Sequence, residues 1–568
     1  MQKQLIIFII CGILFSAAQG DCTPPLKQHL TSNTSVDDVY SKEAAYHYSL
    51  AVLLRLNHEL SQAIDQMKKA LAIHPDSIYL NTELVSLYAE HHDFDNALSL
   101  GETMLAKNPG NVELRSILGG VYFNLRKYDK AVQEYQTIIE IDPKNLVARL
   151  FLATIYTQEK KYDLASKVYQ QLLKMDPGNM IGMYYYAKIL TQMNRPAEAE
   201  ALYKKMTLQK PEFEAAWLSL AALYENEKKY SEAIAVYRAY LEINPARIIF
   251  RVKIAQQLVK ANKQSLAEKE LKEALQVDPA NRDVRTMLGL LYYEMKQFDA
   301  AAAQFLMILQ SSPGDEKIRY LLANTLEQKG DLSAAFMEYQ KISPDFELYA
   351  NAQVLAAMIR KKEGRIEDAI AVIVRAIEKK DDQAALYLYL SSLHEEKKDM
   401  DAAEKIIQEG ISRFPRNTDM YYVLGTLQEK TDRFEESIKS MRKVLDIDPQ
   451  NADALNFIGY TYADRDIHLD EAEQMIVQAL KIKPKNGYIL DSLGWVHFKK
   501  KQYDSALKHL KEALELLPDD PNINEHIGDV YLKIGREQEA LQYYRKAVKI
   551  DPANLKLKEK LENLINKK

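Results

Sequence analysis

Proline recurs at a fixed interval along most of this 568-residue chain. Eight prolines are spaced 34 residues apart, at Pro75, Pro109, Pro143, Pro177, Pro211, Pro245, Pro279 and Pro313. The frame continues through Glu347, Asp381, Pro415 and Pro449, gains one residue, and ends with Pro484, Pro518 and Pro552. A repeat of this length cannot bury its apolar residues alone, so neighbouring copies must stack. We therefore expect one array of fifteen units over residues 44–552, instead of the roughly three to five separate domains that chain length suggests.

Two columns of small residues run through these units. Twelve residues before the proline position, fourteen of the fifteen units carry alanine and the other carries Ser437: Ala63, Ala97, Ala131, Ala165, Ala199, Ala233, Ala267, Ala301, Ala335, Ala369, Ala403, Ala472, Ala506 and Ala540. Twelve residues earlier again stands a second small residue, such as Gly119 or Gly494, with Val85 as the bulky exception. Two helices approach closely only where side chains are small. Each unit is therefore predicted to be a pair of touching helices, ended by a proline that cannot continue the second helix.

The period, the helix–turn–helix pattern and the small-residue columns resemble the tetratricopeptide repeat (TPR). The resemblance covers about nine-tenths of the chain. It implies an all-α fold, a right-handed superhelical solenoid of about 15 helix–turn–helix repeats whose concave groove binds proteins or peptides. The extra residue is expected in the turn Ala463–Ala472. Residues 553–568, a Lys-rich segment with one apolar stripe (Leu557, Leu561, Leu564 and Ile565), are expected to form a helix that caps the array.

Residues 1–20 have a different character. An apolar run, Leu5–Phe15, follows Lys3, and small residues follow the run. This pattern is typical of a secretory signal peptide and is too short for a membrane span. We expect residues 21–43 to be a flexible tether and the protein to be exported, to the periplasm in a bacterium.

Cys22 is the only cysteine that would remain after the signal peptide is removed, since Cys11 is lost with it. An internal disulfide is therefore excluded for the mature chain. Cys22 is a candidate for lipid attachment at the outer membrane, because it follows an apolar segment and precedes a polar one. Asp21 stands where a bacterial lipoprotein site has a small residue, and a free or intermolecular thiol is the alternative.

The sequence contains no recognisable catalytic motif. It has no phosphate-binding GxxxxGK[ST], no HExxH, no GxSxG and no acidic calcium loop, and its 11 histidines are scattered. The 75 basic and 80 acidic residues are well mixed, with a net charge of −5, so nothing indicates nucleic-acid binding. We expect a protein that is not an enzyme, holds no metal or cofactor, and meets a membrane only through an N-terminal lipid.

The TPR resemblance implies that positions 2, 5, 9, 12 and 13 of each repeat line the groove. Aromatic residues occupy many of these positions: Tyr48, Tyr79, Phe123, Tyr184, Tyr293, Tyr320, Tyr422, Tyr460, Tyr488, Trp495 and Phe498. Tyrosine combines apolar area with a hydrogen bond and suits wet interfaces. Packing between repeats is the alternative, and it is the role expected for Tyr88, Tyr122, Tyr156, Tyr224 and Tyr531. Position 5 is never lysine, which disfavours the carboxylate-binding mode of cytosolic chaperone partners.

An aspartate and a tryptophan lie one turn apart inside the segment NGYILDSLGWVHF. Aspartate within a helix is about half a kcal/mol less favourable than alanine, and nothing local explains Asp491. In the repeat frame Asp491 and Trp495 hold positions 5 and 9, and we expect them to face the groove while Leu490, Leu493, Gly494 and Val496 fill the core. The alternative is that Asp491 caps a helix or bridges a neighbouring lysine or tyrosine within the stack. The equivalent residues of the flanking repeats complete a predicted partner-binding set of Asn456, Tyr460, Asp491, Trp495, Phe498, Glu525 and Asp529.

The last repeats carry a narrower resemblance. Residues 454–465, 469–480, 486–498 and 518–535 resemble the C-terminal repeats of a group of exported bacterial TPR proteins. This group includes an outer-membrane lipoprotein that partners the carboxyl-terminal processing protease in the turnover of cell-wall hydrolases. The resemblance implies a non-catalytic scaffold or adaptor of the cell envelope that presents substrates to a periplasmic protease. The alternative function is a structural TPR component of a secretion or surface-polysaccharide export system.

Overall fold

The computed structural model describes residues 42–566. The predicted signal peptide, almost all of the predicted tether and Cys22 lie outside this range. Within it, every regular element is an α-helix and there is no strand. The helices are α1 Lys42–Leu56, α2 Leu60–Ile73, α3 Ile78–Glu90, α4 Phe94–Lys107, α5 Val112–Asn124, α6 Tyr128–Ile141, α7 Leu146–Gln158, α8 Tyr162–Met175, α9 Met180–Gln192, α10 Pro196–Gln209, α11 Glu214–Asn226, α12 Tyr230–Ile243, α13 Ile248–Lys260, α14 Gln264–Val277, α15 Arg282–Glu294, α16 Phe298–Ser311, α17 Glu316–Lys329, α18 Leu332–Gln340, α19 Tyr349–Lys362, α20 Ile366–Lys379, α21 Ala384–Glu396, α22 Met400–Arg413, α23 Thr418–Lys430, α24 Phe434–Ile447, α25 Ala452–Asp464, α26 Leu469–Ile482, α27 Gly487–Lys499, α28 Tyr503–Leu516, α29 Pro521–Lys533, α30 Glu537–Ile550 and α31 Leu555–Asn566.

The chain divides into two units, residues 1–270 and 271–568, and the boundary falls within α14. Within each unit, a helix packs against the helix that follows it in sequence. The odd-numbered member of each pair is the first helix of a repeat and the even-numbered member is the second. The predicted all-α helix–turn–helix fold is confirmed, with fifteen pairs in α1–α30 and one further helix, α31.

The small-residue columns lie where the two helices of a pair touch. All fourteen alanines of the first column are fully buried, and so is Ser437, whose Oγ donates a 2.7 Å hydrogen bond to the Gly425 carbonyl. A Cβ added at Gly494 would lie 2.6 Å from the Leu510 side chain. The predicted contact is thus confirmed. The tyrosines expected to pack between repeats, among them Tyr122 and Tyr531, are buried as well.

The turn within each repeat is short and contains one residue with positive φ. In the turn between α5 and α6 this residue is Arg126, at φ 58°. The turn between α25 and α26 contains the extra residue and has two such positions, Asp466 at 58° and His468 at 48°. The insertion therefore lies in the turn where the sequence placed it, and a second left-handed residue accommodates it.

Side chains of the first helices stabilise the turn that contains the proline. Asparagine caps several of these helices, and Asn451 Oδ1, for example, accepts a 3.0 Å hydrogen bond from the Ala454 amide. A side chain in the second turn of the helix also bonds back to the proline carbonyl. Its donors are Asn81, Arg115, Trp217, Arg285, Arg319 and Tyr421, each six residues after the proline. These bonds satisfy the proline carbonyls, which lie in the turn just after the second helix.

One repeat departs from the regular length. The second helix α18 spans only nine residues, whereas most second helices span fourteen. Pro344 lies three residues before the frame position at Glu347, and a residue before proline is disfavoured in helical conformation. Helix α18 therefore ends early, although α19 keeps the frame by beginning at Tyr349.

The last helix, α31, buries Leu557 and Leu564 against the final repeat. Leu561 packs partly against the same cluster, but Ile565 remains exposed, so the predicted apolar stripe is narrower than expected. Among residues 42–566, no helix has the length and apolar character needed to cross a membrane.

Candidate partner-binding site

The predicted site residues lie on the first helices α25, α27 and α29 of the second unit, with α31 beyond them. We call the surface that these helices form together the first-helix face. It includes Tyr488 and the seven predicted site residues. Helix α27 begins after Asn486, whose Oδ1 accepts hydrogen bonds from the amides of Tyr488 and Ile489 at 3.0 and 3.2 Å. The start of the helix is therefore already capped, and Asp491 has no capping role.

Asp491 is paired with a histidine of the next repeat. Its Oδ1 lies 2.8 Å from Nδ1 of His526, on α29, and only 8% of each residue is exposed. The alternative weighed from the sequence, a bridge within the stack, is therefore correct for Asp491, although the partner is neither lysine nor tyrosine. The expectation that this carboxylate stands open in a groove is wrong.

The surroundings of His526 favour its protonated form. Burial lowers the pKa of His526, but the charge of Asp491 and its hydrogen bond raise it, as do the charges of Asp529 and Glu525. The net result is a pKa above the ordinary value of histidine. The pair is thus a buried ion pair while the imidazole is protonated.

Trp495 packs within the face. Its ring stacks on His526 with centroids 4.2 Å apart and on Phe498 at 4.9 Å. Its Nε1 donates to Oδ1 of Asp464, the last residue of α25, at 3.3 Å. Trp495 is 8% exposed and belongs to the apolar cluster that contains Leu493 and Val496. The prediction that the indole faces away from the core is therefore wrong, because position 9 meets the first helices of both neighbouring repeats.

Asn456 and Tyr460 lie on α25 and are partly buried. Burial raises the pKa of Tyr460, and the charges of Asp464, Asp491 and Glu525 raise it further. This hydroxyl is therefore neutral and lies in the field of three carboxylates. Asn456 Oδ1 is buried and accepts no hydrogen bond from the part of the chain that the structure describes.

Glu525 and Asp529 are bound by the last helix. Nζ of Lys560, on α31, lies 2.6 Å from Glu525 Oε1 and 2.8 Å from Asp529 Oδ2. The Tyr544 hydroxyl also donates to Asp529 Oδ1, at 2.5 Å. Burial lowers the pKa of Lys560, but these hydrogen bonds and charges raise it to a net value above the ordinary one. Both carboxylates therefore have internal partners.

His526 and Lys560 lie outside the predicted site, and they hold the same position in successive repeats. His526 follows Asp491 by 35 residues and Trp495 by 31, and Lys560 follows Glu525 and Asp529 by the same two spacings. A cation at this position therefore reaches positions 5 and 9 of the preceding first helix. Pairing charges across neighbouring repeats in the frame would have found both residues.

The accessible aromatic side chain of α27 is Tyr488. It is 60% exposed, whereas ten of the thirteen residues of the helix are buried. Phe498 and Tyr460 are partly exposed. Among the other predicted groove aromatics, Tyr79 is 47% exposed and the rest are partly buried. Whether the seven selected residues contact a partner stays a prediction, and Tyr488 is the side chain best placed for contact. Residues 42–566 contain no group of three side chains that could hold a metal ion.

Family comparisons identify repeats in both units. Family models described as tetratricopeptide repeat match residues 88–155, 126–179, 156–224, 190–250, 258–323, 354–418, 418–451 and 492–554. Together these matches cover more than half of the chain. The matched residues lie on helix pairs of the fold, and the matched family is one of helix–turn–helix repeats.

One curated relative and two solved structures are similar to this chain. TPR repeat-containing protein PA4667 of Pseudomonas aeruginosa is 31% identical over 186 residues, which is 33% of this chain and 31% of that protein. The chain thus matches about a third of the length of this relative. A crystal structure of the APC/C hetero-tetramer Cut9-Hcn1 is 14% identical over 87% of this chain and 98% of that one, with a TM-score of 0.36. A structure of Naa15/Naa10 bound to HypK-THB is 13% identical over 86% and 96%, with a TM-score of 0.35.

Proposed function

The chain belongs to the tetratricopeptide repeat family, and from this premise we propose that it is a non-catalytic adaptor of the bacterial cell envelope. TPR solenoids bind protein partners, and the array gives this chain the same general role of a protein-interaction scaffold. The finer proposal is that the partner docks on the first-helix face of the last repeats. A periplasmic carboxyl-terminal processing protease, or a substrate presented to it, is the partner that we propose.

The exposure of Tyr488 is the main evidence for this docking site. Interface energy concentrates in a few aromatic side chains, since these offer large area at little cost in rotamer entropy. Tyr488 projects from a helix whose other residues are mostly buried, so its backbone is firmly held. A rigidly mounted, exposed tyrosine is a suitable anchor for a partner.

The envelope location is supported by the sequence of residues 1–20, and the protease by the resemblance of the last repeats to exported TPR proteins. In this proposal the signal peptide is removed and residues 21–43 serve as the tether that precedes the array. Cys22 would carry the lipid if the protein is anchored at the outer membrane.

Affinity capture from envelope extract tests the proposal. The tagged full-length chain is compared with Tyr488→Ala and with Tyr79→Ala, a matched control in which an exposed tyrosine at the same repeat position is removed from the first unit. We expect the chain and the control to retain a protease and cell-wall hydrolases, and Tyr488→Ala to lose them. Recovery of secretion or polysaccharide-synthase subunits instead would favour the export-system alternative and contradict the adaptor.

A further inference from the structure

We propose that the contact of His526 with Asp491 and Trp495 is a proton-controlled latch between the last two repeats, closed when the imidazole is protonated. This inference goes beyond adaptor function and does not depend on it. It concerns the contact between α27 and α29, two first helices that meet directly.

The imidazole ring of His526 makes two contacts at once, one with Asp491 and one with Trp495. Nδ1 of His526 lies 2.8 Å from Asp491 Oδ1, and the face of the same ring stacks on Trp495 at 4.2 Å and 21°. All three residues are buried. A protonated imidazole gains both from the carboxylate and from the electron-rich face of the indole. A neutral imidazole keeps one hydrogen bond but leaves the Asp491 charge buried without a counter-ion.

The acidic groups around His526 all favour its protonation, and one lysine weakens their effect. From α27 comes Asp491, and from its own helix come Glu525 and Asp529, whose charges all favour protonation. Helix α25 contributes Asp464, which accepts from Trp495, and α31 contributes Lys560, which partly neutralises Glu525 and Asp529. The net effect is a raised pKa for His526.

The direction of the pH response follows from this shift. Unfolded histidine has a pKa of about 6.5. Because the folded pKa of His526 is higher, its contribution to stability is complete below the unfolded value and is lost as pH rises through the folded value. The contact between α27 and α29 is therefore tightest below about pH 6.5 and loosens as pH rises through the folded pKa of His526.

Tryptophan fluorescence reports the state of the latch directly. The chain has two tryptophans, so Trp217→Phe leaves Trp495 as the only indole. A protonated imidazole in contact quenches an indole, and in this background we expect fluorescence to rise with a midpoint above about pH 6.5. The rise should vanish in Trp217→Phe/His526→Gln. In Trp217→Phe/Asp491→Asn, the midpoint should move to lower pH, because the negative charge that holds the proton is gone.

Hydrogen exchange of the full-length protein supplies a second measurement that does not need the tryptophan background. After correction for intrinsic exchange rates, amides of α27 and α29 should lose protection several-fold as pH rises through the fluorescence midpoint, and His526→Gln should abolish that dependence. The inference is overturned if fluorescence does not titrate between about pH 5 and 9, if the transition survives in the His526→Gln background, or if exchange is independent of pH in the native sequence.

Discussion

Lys560 Nζ lies 2.6 Å from Glu525 Oε1, 35 residues away, and this spacing also separates His526 from Asp491. The last helix therefore repeats, with a lysine, a contact that the preceding repeat makes with a histidine. Both contacts join a first helix to the one that follows it. Charge pairing along the first-helix face thus contributes to the cohesion of the final repeats, in addition to apolar packing.

Truncation of the buried tryptophan should destabilise the protein. Trp495→Ala should lower the free energy of unfolding by about 3–5 kcal/mol, since it removes a large side chain from the cluster and leaves a cavity. Trp217→Ala is the control. Because Trp217 is partly exposed, its truncation should lower the free energy of unfolding less. Chemical denaturation followed by circular dichroism measures both. Equal losses in the two variants would contradict the burial of Trp495.

Removal of Asp491 should lower the free energy of unfolding more than removal of an exposed aspartate does. The matched aspartate is Asp453, which also lies 2.8 Å from its partner. Near pH 6, Asp491→Ala should lower the free energy of unfolding by about 1–3 kcal/mol, because His526 gives up its proton and its buried ring nitrogen is left without a partner. Asp453 lies 2.8 Å from Lys483 on the surface, and Asp453→Ala should lose about 1 kcal/mol or less.

The double variant Asp491→Leu/His526→Phe provides the control for this ion pair. It replaces both charges with apolar groups and should recover much of the lost stability. If the double variant is as unstable as Asp491→Ala, the loss comes from altered shape and not from an unpaired buried polar group.

Loss of the terminal lysine should loosen α31. Lys560→Met removes the cation that Glu525 and Asp529 share, and should cost about 1 kcal/mol, with faster hydrogen exchange confined to α29 and α31. Lys556→Met, at an exposed position of the same helix, is the control and should leave exchange unchanged. Identical exchange in the two variants would show that Lys560 does not hold the helix.

Two adjacent glycines of α5 should respond in opposite directions to alanine. A Cβ at Gly119 would lie 2.8 Å from the buried Tyr135 ring, so Gly119→Ala should destabilise by about 1–3 kcal/mol. At Gly120 the nearest atom lies 4.0 Å away, and Gly120→Ala should stabilise the helix by about 0.5–1 kcal/mol. Thermal melting of both variants tests the small-residue column, and a stabilised Gly119→Ala would contradict it.

Mass spectrometry of the native protein should find that the predicted signal peptide has been removed. A free N-terminus at Gln19 or Asp21 is the form expected of a soluble exported protein, and a diacylglyceryl mass on Cys22 is the form expected of an anchored one. Retention of Met1 in exported material would contradict both forms.

The repeat fold could be predicted from sequence because its cause is local and periodic. Each alanine of the first column must be small for the same steric reason, and fourteen occurrences make the pattern unmistakable. The extra residue was also placed correctly, since a turn accepts an insertion that a helix would not. The early end of α18 at Gln340 does not follow from the 34-residue period, because Pro344 lies outside the regular proline positions.

The site was predicted less well, because position in the repeat does not decide exposure. Repeat position predicts that both Trp495 and Tyr488 line the groove, yet Trp495 is buried and Tyr488 is exposed. The difference depends on what the next repeat supplies, and His526 covers Trp495 by stacking on it. Such contacts between repeats involve residues 31 or 35 apart, and reasoning from one helix at a time does not reveal them.

The most direct test of partner binding on the first-helix face is photo-cross-linking in intact cells. A photoreactive phenylalanine derivative replaces Tyr488 in one strain and Tyr79 in another, and adducts are identified by mass spectrometry. We expect a discrete adduct with an envelope protease or its substrate at position 488 and none with that partner at position 79. No adduct at position 488, or the same adduct at both positions, would contradict it.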